Sequence, residues 1–323
     1  MALSEAKAPA PADATVAKLR LERLTERDID AGLALSDAAD WNQTGDDWAL
    51  FIRHGRAIGL RDGGGRWVAT AAALPYGSER GWVSMVLVAE AWRHRGLASR
   101  LLDDCVAHLR AEGIVSVLDA TPAGVAVYRR SGFVPGFEID RWERPAPSAA
   151  TSVPHGTSPS AMPPSALRPS AIAANAPSAS APQPAGLADL DALLALDRAA
   201  TDLDRRFLLS SFLSRPETLA WRADGRGFVI ARAGRRATQI GPLVAGDAAQ
   251  AAALLDTAIA AATGGDGGRA IFLDLPRAHR PLADRIERQG FVRQRPFVRM
   301  SLGATEAPRL GAGMFVLAGP EFG

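Results

Sequence analysis

The order of elements in this 323-residue chain predicts a mixed α/β protein made of two copies of one fold. Three observations carry that expectation. Alternating apolar runs and runs of helical period succeed one another twice in the same order. Leu118-Asp119 and the later Gly132-Phe133-Val134 are echoed by Leu273-Asp274 and Gly290-Phe291-Val292, and Leu87-Val88-Ala89 is echoed by Leu243-Val244-Ala245. Between the two series lies a stretch dominated by Pro, Ala and Ser. Such a composition cannot bury enough apolar surface to offset its ordering entropy. Shared strings at equivalent places in a repeated succession mark a duplicated unit.

In the first copy, residues 18–24 read as a strand. Thr25 caps a helix running from 26 towards 37, and 44–54 form a second helix with Trp48, Phe51 and Ile52 on one side. Residues 56–61 and 67–74 read as strands joined by the Asp62-Gly63-Gly64-Gly65 turn, and 81–88 as the next strand. Residues 97–110 give an amphipathic helix with Leu97, Leu101, Leu102, Cys105 and Leu109 in phase. A strand at 115–119, a short helix at 123–130 and a strand opening at Phe133 complete the copy. The second copy reads as helices at 187–201 and 207–214, then strands at 218–223, 228–233 and 238–244. A helix at 247–262, a strand at 270–275, a helix at 280–289 and a strand at 291–301 follow, and 314–318 can add one more strand. The expected division is a flexible tail over 1–17, a first domain over 18–144, a disordered linker over 145–185 and a second domain over 186–323.

Lys and Arg number 37 against 35 Asp and Glu, and no dense basic run interleaved with aromatics marks a nucleic-acid face. One cysteine, Cys105, excludes an internal disulfide framework, and five scattered His without ligand spacing predict no metal site. Glu5, Lys7 and Asp13 interrupt the start of the chain, so it lacks the apolar core of a signal peptide. No segment is apolar for long enough to span a bilayer, and the expected location is cytoplasmic, with no membrane partner.

The chemistry is expected at Arg93-His94-Arg95-Gly96-Leu97-Ala98-Ser99, between a strand and an amphipathic helix. The first N–H groups of a helix have no internal partner and its dipole is positive there, so small residues at Gly96 and Ala98 let a phosphate approach the backbone. Taken alone, the loop reads equally well as a glycine turn with exposed arginines. Residues 264–268 are glycine-rich too, but a strand follows them, so they read as a turn.

The loop resembles that of the GNAT superfamily of acyl-CoA N-acyltransferases, whose pattern is Gln or Arg, two residues, Gly, one residue, then Gly or Ala. Arg93, Gly96 and Ala98 match it in order, and the family's downstream Tyr followed by Gly-Phe is matched by Tyr128 and Gly132-Phe133. The likeness covers about residues 19–142. The second copy shares only element order and Gly290-Phe291, an arrangement similar to a tandem subgroup with a divergent second GNAT domain. The resemblance implies two GNAT-like domains, acetyl-CoA as co-substrate, and its pyrophosphate on the loop formed by Arg93, His94, Arg95, Gly96, Leu97, Ala98 and Ser99. It implies a strand at 82–88 splayed from its neighbour, with Leu87 and Val88 nearest the thioester and one of their N–H groups polarising its carbonyl. Tyr128 would be the general acid in direct transfer to a primary amine within a ternary complex.

The acceptor is expected to be a small-molecule amine or a protein or peptide amine, and the oligomeric state stays open. The motif names no general base; Glu79, Glu90 and Asp119 are candidates beside the strands. Thr121 stands where many of these enzymes have Asn. Trp41, Asn42 and Trp48 fall in the region that often faces the acceptor, although packing is the simpler role for Trp48. No covalent intermediate is needed, and Cys105, on the apolar face of its helix, argues little for one. In the second copy the loop shortens to Gly246-Asp247 and Ile286 replaces the tyrosine. The second domain is therefore expected to lack a standard CoA site, serving as a structural partner or as a wall of the acceptor pocket. A non-catalytic, CoA-responsive regulatory module is the alternative reading.

Overall fold

The computed structural model describes residues 15–146, 181–264 and 268–323. Most of the expected tail and linker, and the centre of the 264–268 turn, lie outside the described residues.

The first copy contains β1 (Arg20–Arg23), α1 (Ile29–Ala38), α2 (Gly45–His54), β2 (Arg56–Arg61), β3 (Trp67–Tyr76), β4 (Arg80–Val88), α3 (Leu97–Ala111), β5 (Val115–Ala120), α4 (Pro122–Arg130) and β6 (Val134–Arg144). The second contains β7 (Gln183–Ala185), α5 (Leu190–Thr201), α6 (Arg206–Ser214), β8 (Leu219–Ala223), β9 (Gly227–Ala233), β10 (Ala237–Val244), α7 (Ala248–Thr263), β11 (Ala270–Pro276), α8 (Arg280–Glu287), β12 (Val292–Leu302) and β13 (Met314–Val316). Composition assigned 183–185 to the linker, yet these residues pair with β8 as an edge strand, a place where Pro184 costs no ladder bond.

The two copies do not close on themselves. Among the described residues one sheet runs β1-β2-β3-β4-β5-β12-β6-β11-β10-β9-β8-β7, with β13 on β10. One strand of each copy is exchanged: β12 lies antiparallel between β5 and β6, and β6 lies antiparallel between β12 and β11. A reciprocal pair of buried ion pairs sits at the exchange. Arg299 of β12 grips Asp119 of β5 through both oxygens at 2.8 and 2.7 Å, and Arg141 of β6 grips Asp274 of β11 at 2.9 and 2.8 Å. Each arginine stands directly opposite its aspartate in the ladder. A slip of one residue would turn the guanidinium to the other face and leave a buried charge without its partner.

Packing binds the halves a second time. The apolar stripe of α3 covers one face of the first copy's strands, and α7 and α8 cover the corresponding strands of the second. The opposite pairs of helices, α1–α2 and α5–α6, share a single core in which Trp48, Phe51, Leu208 and Phe212 meet. Asp47 and Arg215 form a nearly buried ion pair across it at 2.8 Å.

Candidate active site

β4 and β5 begin as parallel neighbours, but only Arg80, Gly81 and Trp82 find partners, at Val115, Ser116 and Val117. Beyond Trp82 the strands diverge. A bulge in β4 lies on the same stretch: Thr70 faces Leu87 and Ala72 faces Ser84, so Met85 and Val86 together oppose Ala71. Met85 takes a left-handed φ of 54° to do so, and the Thr70 hydroxyl donates to its carbonyl at 3.0 Å. A bulge bends and twists its strand, and here it bends β4 along the gap.

Ladder alternation decides which groups line that gap. Ala89 donates its N–H to Val68 at 2.9 Å. Leu87, two residues earlier, therefore also turns its polar groups to β3, and Val88 turns its own away. The Val88 carbonyl accepts from Arg93 Nε at 3.3 Å, in keeping with that direction. The Leu87 side chain is buried in the α1–α2 core. Of the two residues expected at the thioester, Val88 is the one with backbone groups facing the gap.

The loop ends on α3. Gly96 holds a φ of 78° immediately before the helix, His94 holds 62°, no side chain caps the N-terminus and no acidic residue lies in the first turn. The N–H groups of Leu97, Ala98 and Ser99 are thus left without side-chain partners at the positive end of a fifteen-residue helix. Arg93, His94, Arg95 and Gly96 are exposed, while the Leu97 side chain enters the core.

The second copy has the same framework with both features cancelled. The Asp247 carboxylate caps α7 by accepting from Gln250 N–H at 2.8 Å. The gap beside β10 is filled by the chain itself. Only Ala237 to Ile240 pair with β11; β13 pairs farther on, with Leu243 opposite Val316 and Val244 opposite Met314, and Leu317 N–H reaches Asp274 O at 3.0 Å.

Tyr128 stands on α4, and its Gly132-Phe133 sequel is a helix stop. Phe133 N–H bonds Tyr128 O at 3.0 Å, with Gly132 at φ 88°. The second copy repeats that stop at Ile286, Gly290 and Phe291. The Gly-Phe element is therefore structural in both copies, and the phenol is what distinguishes the first. Tyr128 lines a cavity of about 130 Å³ with Ser84, Thr121, Trp41, Arg295 and Glu321. Burial raises its phenol above the ordinary value. A neighbouring groove of about 370 Å³ shares Trp41 and Val86 with that cavity and runs past Leu87 and Val88 to Glu90 and Arg93.

The carboxylates expected as bases fare unequally. Glu79 is exposed just before β4, at the strand's opposite end from Val88. Glu90 is exposed at the mouth of the groove. Asp119 lines the cavity, but both its oxygens are engaged by Arg299. The unforeseen group is Glu321. The segment after β13 crosses back to the first copy, where Phe322 stacks on Phe51 with ring centroids 5.1 Å apart, and Tyr76 donates to Phe322 O at 2.8 Å. This places Glu321 in the cavity wall, 7% exposed, with Oε2 buried and unpartnered and Oε1 3.7 Å from Arg232. Desolvation raises its pKa, opposed by Arg232 and Arg141.

Trp41 lines both cavity and groove. Asn42 instead turns to the second copy, its Oδ1 accepting from Arg236 and Ala237 N–H at 2.9 and 3.0 Å. Trp48 is fully buried, with its indole N–H on Ser36 Oγ at 3.3 Å, and Cys105 is buried in the α3 core. No cluster of potential metal ligands and no helix long and apolar enough to cross a membrane occurs among the described residues.

Comparison with known proteins gives this geometry its relatives. The pattern of the acetyltransferase (GNAT) family matches residues 21–133, and that of an acetyltransferase (GNAT) domain matches residues 193–314. No curated protein matches the sequence. The fold is similar to that of a putative acetyltransferase from Pyrococcus horikoshii, at 17% identity and a TM-score of 0.70, over 95% of this chain and 96% of that one. A tandem GNAT protein from the clavulanic acid biosynthesis pathway gives 14% and 0.59, over 89% and 100%. A GCN5-related N-acetyltransferase from Sphaerobacter thermophilus gives 14% and 0.56, over 92% and 98%. At such identities the likeness speaks for the fold, while the two sequence matches fall on the two copies; the chain belongs to the GNAT acetyltransferase family, as two of its domains in tandem.

Proposed function

We propose that the first copy transfers an acetyl group from acetyl-CoA to a primary amine by direct attack in a ternary complex. The observation that carries this reading is the continuity of one open edge: an uncapped α3 N-terminus, the unpaired end of β4 and the Tyr128 cavity follow one another along the same gap. The residues fit the cofactor. Pyrophosphate suits the N–H groups of Leu97, Ala98 and Ser99, with the Arg93 and Arg95 side chains close by, and pantetheine suits the polar edge at Val88. The co-substrate supplies an activated acyl carbon; the chain orients it, polarises its carbonyl from the Val88 N–H and protonates the leaving sulfur from Tyr128. A raised phenol pKa suits that last role, because the acid form persists throughout the neutral range. The second copy, with its gap filled and its helix capped, supports the site instead of duplicating it.

Thiol release from acetyl-CoA, measured over a panel of amines, tests the reading. Wild type is expected to release thiol in an amine-dependent way, and Tyr128→Phe to lose about 100-fold in kcat with little change in KM for acetyl-CoA. CoA binding without release in the presence of any amine would favour a CoA-responsive regulatory module.

A further inference from the structure

Of the four charged side chains that line the cavity beside Tyr128, Asp119 and Arg141 are held in buried, doubly hydrogen-bonded ion pairs and two are not. Arg295 of β12 lines it. Its Nε is bonded to Gln294 at 3.2 Å, and its guanidinium enters no ion pair among the described residues. It is partly buried, and burial and the nearby Arg141 disfavour its charge more than the more weakly acting Asp274, Asp40 and Glu143 favour it. Arg141 lines the same cavity, but its charge is already matched by Asp274, which accepts from its Nε and Nη2. The second group is Glu321, nine-tenths buried, whose Oε2 meets no donor. A buried carboxylate oxygen without a partner costs free energy unless a ligand supplies the proton. Arg295 and Glu321 thus line one space of about 130 Å³, the liquid volume of about four water molecules, with the unpartnered oxygen buried in its wall. The wall that holds them comes from β12 and the tail behind β13.

The geometry points to an acceptor that is a small amine carrying its own carboxylate, a free amino acid in chemical class, with Arg295 binding the carboxylate and Glu321 taking the proton from the nitrogen. This rests on the transferase reading of the same cavity. The carboxylate meets the guanidinium as a charge-assisted pair, which holds the amine inside the cavity that Glu321 also lines. Glu321 accepts one proton from the ammonium, and the freed lone pair attacks the thioester carbon. The C–N bond forms and the C–S bond breaks, with the sulfur taking the phenol proton of Tyr128. The proton shed by the new amide nitrogen returns to the phenolate, and Glu321 releases its own to solvent. The balance is acetyl-CoA plus ammonium giving N-acetyl amino acid, CoA thiol and one proton.

The test uses the full chain with CoA bound, the proteinogenic amino acids and their C-terminal amides, read by calorimetric binding and by thiol release. At least one amino acid is expected to bind and react roughly ten- to hundredfold better than its amide. Arg295→Gln should collapse that ratio to near one, and Arg295→Lys should keep part of it. Glu321→Gln should lower kcat for the preferred acid more than its binding. Amides matching acids in wild type, or a ratio unmoved in Arg295→Gln, would overturn the assignment while leaving the transferase intact. Arg295-dependent binding without thiol release would uphold the carboxylate site and remove the transferase reading. Absence of binding by every amino acid would overturn the assignment outright.

Discussion

At the residue scale, chemistry and architecture use similar side chains for opposite ends, and burial with partnership separates them. Asp119 and Glu321 both line the cavity, but Asp119 meets a bidentate guanidinium and Glu321 has a free oxygen. Tyr128 differs from its counterpart Ile286 by the phenol, whose pKa burial lifts above about 10, the ordinary tyrosine value. A general acid works only while protonated, and a raised pKa extends the protonated range upward. The rate is therefore expected to hold on the alkaline side to about pH 10; a fall centred near pH 8 in a kcat profile would remove Tyr128 from that role. The exchange-point ion pairs act on stability. Asp274→Asn leaves Arg141 charged and buried, a loss of about 3–5 kcal/mol, which chemical denaturation of the variant would register as a lower midpoint. An unchanged midpoint would make the pair a passive contact.

At the element scale, the α3 N-terminus is the feature most exposed to a single change. Ala98→Asp adds a negative charge within the first turn, close to the N-terminus that Asp247 caps in the second copy. Its carboxylate would occupy the N–H groups and repel pyrophosphate, raising Kd for CoA about tenfold or more, with the fold kept because Ala98 is only partly buried. Titration should also give one CoA per chain in the wild type, since β13 fills the second gap; two sites, or an Ala98→Asp variant that binds as wild type does, would contradict this account. The loop was legible in the sequence because its pattern is local: three residue types over six positions, placed between two periodic runs. The bulge at Met85 was not, because a left-handed φ at a methionine leaves no mark in composition. Glu321 was hidden for another reason. It lies beyond the last strand, and only tertiary folding returns that segment to the first copy.

At the scale of the whole molecule, hydrophobic periodicity announced two copies and could not announce that they exchange β6 and β12. Period and length fix an element's type, while the partner of a strand depends on which edges meet. One clue was present. Arg141 and Arg299 each follow their Gly-Phe pair by the same interval, and Asp119 and Asp274 hold equivalent places, so the two charge pairs were written symmetrically. The exchange changes what separating the halves does. A fragment ending near residue 146 keeps β5 and β6 but lacks the strand that belongs between them, and it exposes the shared core at Trp48, Phe51 and Leu50. Unpaired edges beside exposed apolar surface drive association, so this fragment alone is expected to aggregate or remain unfolded. Cutting the chain inside residues 147–180 after folding breaks no described contact. The two pieces should then copurify, unfold together and retain thiol-releasing activity, with size-exclusion chromatography and a single thermal transition as the measurements. A monodisperse, cooperatively folded first fragment would mean that β6 can close against β5 without β12, and that the exchange is an option of the fold and not a condition of it.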